Sequence, residues 1–248
     1  MTDGFPLWRK LRSHPCLLPR DGLLVLVPAL GWWLAFRSRD TLMIPRCTQS
    51  PQTCLKENIF AMDQFVVGLA NRQADALSFV TQDLSAVFAI LLPLGWIVFR
   101  QWRRRLEKPF ARTYGTDFII LLESILWNGF LNEATRLIVQ RPRPFVYLDP
   151  NFLGNLPAHY TSFYSGHTSF SATVGGFAFL TLAGRDAPDW LLTVMGLTAS
   201  ILVVLTGIFR VWAGRHFATD VLAGALAGSL TALGIAILHR TPPVSAAS

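Results

Sequence analysis

Eight residues in the last half of the chain have types and spacings suited to one chemistry. His216 and Asp220 stand four apart, which on a helix puts them on one face, so that Asp220 can accept the Nδ1–H of His216. That contact would fix the tautomer and leave Nε2 free to attack an electrophile. Arg136, Arg143 and Arg210 supply guanidinium forks that match the oxygens of a phosphoryl group and offset the negative charge that repels a nucleophile. Pro142 and Pro144 restrict the backbone on either side of Arg143. In the stretch YSGHTSF, Ser165 and Gly166 open an apolar run and offer hydroxyl and backbone N–H donors to an anion. His167 beside them is placed to give a proton to a departing alkoxide. Together these residues form the inventory for phosphoryl transfer without a metal.

Such a set must be held by elements, and the composition says which kind. Of 248 residues, 52% are hydrophobic and 15% charged, the balance of a membrane protein. The formal charge is 22 − 15 = +7, with the basic residues at the edges of apolar runs. That placement fits anionic lipid headgroups and topology signals; no nucleic-acid motif is present. A spanning helix takes about 20 largely apolar residues. Six stretches approach that length, at 22–36, 85–99 (beginning a few residues earlier), 117–139, 168–184, 190–209 and 217–238. The expectation is an all-α bundle of six transmembrane helices forming a single domain over 1–248.

Basic residues near helix ends set the orientation. Arg9, Lys10, Arg12 and Arg20, with Arg100, Arg103, Arg104, Arg105, Lys108 and Arg112, fall on one side of a six-span layout. Both termini are therefore expected in the cytoplasm, and the connections 37–84, 140–165 and 210–216 outside. All eight reactive residues then lie at the outer edges of their helices, at the membrane–water interface of a plasma or inner membrane. In the first outer loop, part of 57–84 reads as an amphipathic helix, lying on the outer surface or packed on the bundle as an ordinary loop helix. Cys47 and Cys54 share that loop and are candidates for a disulfide if it faces an oxidising compartment. Gly224 and Gly228 form a small-xxx-small pattern that lets helices approach closely. Glu123, Asn128, Asn132 and Glu133 are expected to face the bundle interior or its mouth, with Glu133 near enough to pair with Arg136. Arg141 falls outside the spacing pattern and reads as a lipid-facing or solvated charge. His159 and Tyr160 read as loop positions without a role or as a border of the substrate entrance.

The order Arg136-x6-Arg143-Pro144, Ser165-Gly166-His167, Arg210-x5-His216-x3-Asp220 resembles the three-part signature of the type 2 phosphatidic acid phosphatases, K-x6-R-P, P-S-G-H and S-R-x5-H-x3-D. The resemblance implies His216 as the nucleophile that forms a phosphohistidine, Asp220 as its orienting partner and His167 as the general acid. It assigns Arg136, Arg143, Ser165, Gly166 and Arg210 to phosphate binding, and implies no metal or other cofactor. Three positions depart from it: Arg136 replaces lysine, Tyr164 proline and Phe209 serine. The implied partner is a membrane lipid phosphate or diphosphate among anionic lipids, with no nucleic acid and no obligate protein partner. A lipid phosphotransferase would use the same groups. A transporter would place its polar residues near the midplane, and a metal-dependent hydrolase built on His167, His216 and Asp220 would set its cation against three arginines.

Overall fold

A computed structural model describes residues 15–103 and 109–240. The topology signals Arg9, Lys10, Arg12, Arg104, Arg105 and Lys108 lie outside the described residues. Six long helices carry the fold: α1 (Asp21–Arg37), α2 (Arg72–Trp102), α3 (Phe110–Val139), α4 (Gly166–Gly184), α5 (Asp189–Trp212) and α6 (Ala218–Leu238). No named strand occurs among the described residues, where Pro15 and Arg240 form an isolated bridge.

Three helices, α2, α5 and α6, are long and apolar enough to cross a membrane. The other three are shorter or more polar than a lone span would be. α1 has 17 residues, and α3 buries Asp117, Glu123, Asn128, Asn132 and Glu133. The outward faces are apolar: Leu26, Leu30 and Trp33 of α1, Leu197 and Ile201 of α5, and Leu222 and Leu226 of α6 are all exposed. A water-soluble bundle places such side chains inside; a bundle in lipid can turn them out.

Helix α4 occupies the centre and packs against α2, α3, α5 and α6. Its hydroxyls are buried but satisfied, as membrane helices require. Thr173 donates to Ser169 O at 2.8 Å and to Gly228 O at 3.1 Å. The α4–α6 seam is close because Gly224 and Gly228 have no Cβ: one added at Gly224 would sit 2.6 Å from Ser165 O. This is the small-residue contact anticipated from the spacing.

One element differs clearly from the sequence expectation. The second apolar stretch belongs to a helix that begins at Arg72, where Asn71 caps it by accepting from Ala74 N at 3.0 Å. The polar residues that suggested a loop lie on its inner face. Ser78, Thr81 and Ser85 are buried and donate to preceding carbonyls, at 2.6 Å in the case of Ser78 to Asp75 O. Within 57–71 the structure has short 3-10 turns, the longest being Ala61–Val66, in place of an amphipathic surface helix. Cys47 and Cys54 are joined by a disulfide in the preceding loop.

Candidate active site

The helices alternate in direction, so the ends of α1, α3 and α5 meet the starts of α2, α4 and α6. All eight candidate residues stand at that end. Helix α3 delivers Arg136 in its last turn and stops at Gln140, whose φ of 46° is left-handed. Gln140 secures the exit by donating to Leu42 O at 3.0 Å and accepting from Ile44 N at 3.0 Å. The Arg141-Pro142-Arg143-Pro144 segment follows, held where Arg143 N donates to His159 O at 2.8 Å. Ser165 N donates to Asp220 O at 3.0 Å, which ties the start of α4 to the first turn of α6. Gly166 is glycine for a steric reason. A Cβ there would lie 2.9 Å from an Arg136 nitrogen and 3.0 Å from Asn132 Oδ1. Side chain and helix start are thus in direct contact, and Asn132 Nδ2 donates to Tyr164 O at 2.9 Å.

The two imidazoles sit in one electrostatic environment. The charges of Arg136, Arg143 and Arg210 act on both His167 and His216. The His167 ring packs edge-on against Phe79 at 4.5 Å, and Arg210 lies over the same phenyl ring at 5.9 Å. Burial, reinforced by Arg143, Arg210 and Arg136, holds His216 well below the usual imidazole value and therefore neutral. Arg143 is itself pulled down to about 9 by burial and by the neighbouring arginines. Its guanidinium reaches Thr161 Oγ1 at 3.0 Å and Arg215 O at 3.4 Å, and among the described residues it has no carboxylate partner. Arg136 Nε, Arg210 Nε and His167 Nε2 are buried without a hydrogen-bond partner among the described residues. Buried donors in that condition are costly unless a ligand completes them.

Two expectations are corrected here. Asp220 does not take the Nδ1–H of His216. The separation is 3.8 Å, and Nδ1 instead meets the carbonyl of Ser162 at 2.7 Å. Asp220 Oδ2 is occupied by Ser162 Oγ at 2.6 Å and Phe217 N at 2.9 Å. The i, i+4 rule assumed that both residues lie within the helix, whereas His216 precedes its first turn. Arg141, read as a solvated charge, donates to Asp220 Oδ1 at 2.6 Å and Asp63 Oδ2 at 2.9 Å. Its guanidinium also lies over the Phe217 ring at 4.2 Å.

Ser165 does not cap α4 with its side chain; its hydroxyl pairs with that of Thr168 at 3.0 Å. Glu133 does pair with Arg136, at 2.8 Å, and also binds Arg39. Tyr160 has a structural role: its hydroxyl donates to Gly154 O at 2.8 Å and accepts from Cys47 N at 2.9 Å.

Sequence reasoning missed Asp63, Asp75, Arg39, Arg215 and Ser162. Asp75 pairs with Arg210 at 2.8 Å and with Arg215 at 2.7 Å, and Asp63 also accepts from Thr219 N at 3.0 Å. Both acids lie in the 37–84 connection, where the period that suggested an amphipathic helix marked the apolar residues and not the acids. Ser162, three residues before Ser165, had no spacing to mark it.

At this end five guanidiniums (Arg39, Arg136, Arg141, Arg210 and Arg215) share four carboxylates (Asp63, Asp75, Glu133 and Asp220), and a sixth, Arg143, binds Thr161 instead. The surplus is 6 − 4 = +2. A phosphate monoester carries roughly −1.5 to −2 at neutral pH, so the network is short of one phosphate.

An apolar-faced helical bundle with a cluster of arginines and two histidines at one end has the character of a membrane protein. The model of the PAP2 superfamily matches residues 117–242, and the chain belongs to that superfamily. The undecaprenyl-diphosphatase of Sulfolobus acidocaldarius is 28% identical over 126 residues, 51% of this chain and 57% of that protein. Lipid phosphate phosphatase 1 of Arabidopsis thaliana is 29% identical over 171 residues, 59% of this chain and 50% of that protein. The chain thus spans about half the length of the curated relatives it matches. A transmembrane PAP2 type phosphatidylglycerolphosphate phosphatase from Bacillus subtilis aligns over 88% of this chain and 94% of its own, with TM-score 0.47 and 19% identity.

Proposed function

We propose that this protein is an integral-membrane phosphatase that hydrolyses a lipid phosphate or diphosphate through a phosphohistidine on His216. The observation that carries the reading is the surplus of two positive charges around two histidines, where buried donors on Arg136, Arg210 and His167 await an acceptor. The names of the relatives, an undecaprenyl-diphosphatase and a lipid phosphate phosphatase, support the substrate class.

In this mechanism Arg136, Arg143 and Arg210, with the helix start at Ser165 and Gly166, bind the phosphoryl oxygens and offset their charge. His216 is kept neutral, and its Nδ1 is engaged by Ser162 O, so the Nε2 lone pair is free to attack phosphorus. The N–P bond forms as the P–O bond to the lipid breaks, and His167 Nε2 gives its proton to the leaving oxygen. An incoming dianion offsets the arginine surplus, which lets His167 carry that proton. A water then attacks phosphorus and loses a proton to His167; the N–P bond breaks and inorganic phosphate leaves. The arginines supply the charge neutralisation that a metal provides elsewhere. Among the described residues, the group of side chains able to converge on a cation is Asp21, Glu123 and His239, at the opposite end of the bundle.

All six long helices cross the membrane in this reading, as one domain with both termini in the cytoplasm and the pocket at the outer interface. The lipid headgroup enters the pocket while its tails stay in the bilayer. The test is phosphate release from a panel of lipid phosphates and diphosphates by the purified protein, with and without chelator. Release by the wild type in chelator, lost by at least about 10³-fold in His216→Ala, is the expected result. Transfer of the phosphate to a second lipid without free phosphate would replace hydrolase with phosphotransferase. Strict loss of activity in chelator would overturn the metal-independent route.

A further inference from the structure

The side chain that orients a nucleophilic histidine is ordinarily sought among its hydrogen-bond partners, and here that partner is a backbone carbonyl. Ser162 O receives Nδ1–H from His216 at 2.7 Å. Ser162 is held at two points: its backbone N donates to Arg141 O at 3.0 Å, and its hydroxyl donates to Asp220 Oδ2 at 2.6 Å. Asp220 is buried, and its other oxygen is taken by Arg141 at 2.6 Å. Arg141 is fixed in turn by buried Asp63 at 2.9 Å and by Thr219 Oγ1 at 2.7 Å, with its flat face on Phe217. Although burial works against its charge, Asp220 and Asp63 hold the Arg141 guanidinium above its usual value.

We propose that Arg141 is a positioning residue for His216, acting through Asp220 and Ser162, and that the Ala61–Val66 turn belongs to the active-site support through Asp63. This rests on the phosphohistidine reading of the same site. A guanidinium is needed because it must bind two carboxylates at once from different nitrogens, NH1 to Asp220 and NH2 to Asp63. Arg141 does not contact His216, so its function is to keep Asp220 anionic and aimed at Ser162. With Arg141 absent, Asp220 would lose its ion pair and protonate more readily, and its grip on Ser162 would loosen.

The direction of the pH effect follows from the groups that face His216. Arg136 comes from α3, Arg143 from the following loop, Arg210 from α5 and Asp220 from α6. Asp75 of α2 reaches the same cluster through Arg210. Removing the Arg141 cation favours protonation of both Asp220 and His216. Each change moves the acid limb of the kcat/KM profile to higher pH.

The experiment compares wild type with Arg141→Met, Arg141→Lys and Ser162→Ala, each verified as folded by its elution and melting behaviour in detergent. In Arg141→Met, kcat is expected to fall about 10²-fold, with KM within about threefold and the acid limb raised by about one pH unit. Arg141→Lys should recover about tenfold, since an ammonium serves the charge but not both carboxylates in the same geometry. If Arg141→Met does not fold, the lysine variant and Ser162→Ala carry the test, each expected to move the limb upward. A fall in kcat with an unmoved limb and no rescue by lysine would mean a merely structural arginine. Full activity in Arg141→Met would overturn the proposal outright.

A second readout does not depend on turnover. In protein labelled with 15N-histidine, the His216 signal is identified by its loss in His216→Gln. The wild type should show a neutral, Nδ1-protonated ring at pH 6, and Arg141→Met a partly protonated or mixed-tautomer ring. If the wild type hydrolyses no lipid phosphate, the functional reading fails, and this signal alone decides the positioning role. An identical signal in both proteins would refute it.

Discussion

The two ends of the bundle both bury charge within a membrane protein, and they do so in opposite ways. At the end away from the arginine cluster, cations are paired with acids, although Glu123 Oε1 has no hydrogen-bond partner among the described residues. Arg185 donates to Asp117 from two nitrogens, at 2.6 Å and 3.3 Å, and Glu123 meets His239 at 2.7 Å. Arg100 reaches Asp186 at 3.2 Å and the carbonyl of Arg185 at 2.7 Å. The other end instead keeps two positive charges more than its acids can match. The difference lies in charge balance: Arg100, Arg185 and His239 each have an acid, whereas the other end holds a surplus that the proposed phosphate would offset.

The largest effect that would break this comparison is expected at Arg143. Arg143→Ala should lower kcat/KM for phosphate release by about 10²- to 10³-fold. Its thermal stability should be unchanged or raised, because a mutual repulsion is removed. Loss of stability in step with activity would mean that the pocket end is structural too. The converse change is Asp117→Ala, which leaves Arg185 buried with no carboxylate. A loss of about 3–5 kcal/mol in stability is expected, read by chemical or thermal melting, while activity per folded molecule stays within about threefold.

A phosphate-like oxyanion should sharpen the contrast. At about 100 times its Kd, orthovanadate or phosphate is expected to stabilise the wild type by about 2.7 kcal/mol. Asp117→Ala should retain that increment and Arg143→Ala should lose most of it; equal stabilisation of both variants would dissociate the surplus charge from anion binding. The smallest effect belongs to the Cys47–Cys54 disulfide, which closes a short loop at the pocket end. Reduction should cost about 2 kcal/mol or less, measured by melting with and without reductant. Oxyanion stabilisation should survive reduction, because the anion-binding arginines lie on other segments.

Much of the site was legible because its residues sit at fixed intervals next to apolar runs, and a membrane helix makes its own ends conspicuous. Arg136, Gly166, Arg210 and Asp220 could be assigned to one end of the bundle on that ground alone. What escaped notice was the support. Asp75, Ser78 and Thr81 look like loop residues in a linear reading, yet they line the inner face of a helix that starts at Arg72. Polarity marked them as outside, when in a membrane protein the polar side of a helix is the side that faces its neighbours. Arg141 failed for a different reason. Its two acids come from segments 78 and 79 positions away, and no local pattern records such a distance. The Asp220–His216 contact was read from helical spacing, but the chain enters the helix only after His216.

The glycine seam between α4 and α6 has a consequence for how the protein meets different bilayers. Because Gly224 sits against the backbone of Ser165, main-chain contact rather than flexible side chains sets the gap between the start of α4 and Asp220. A thicker or thinner membrane is accommodated by tilting of lipid-facing helices, and α1, on the periphery, is free to take up that adjustment. The central pair can then keep its spacing as one rigid piece.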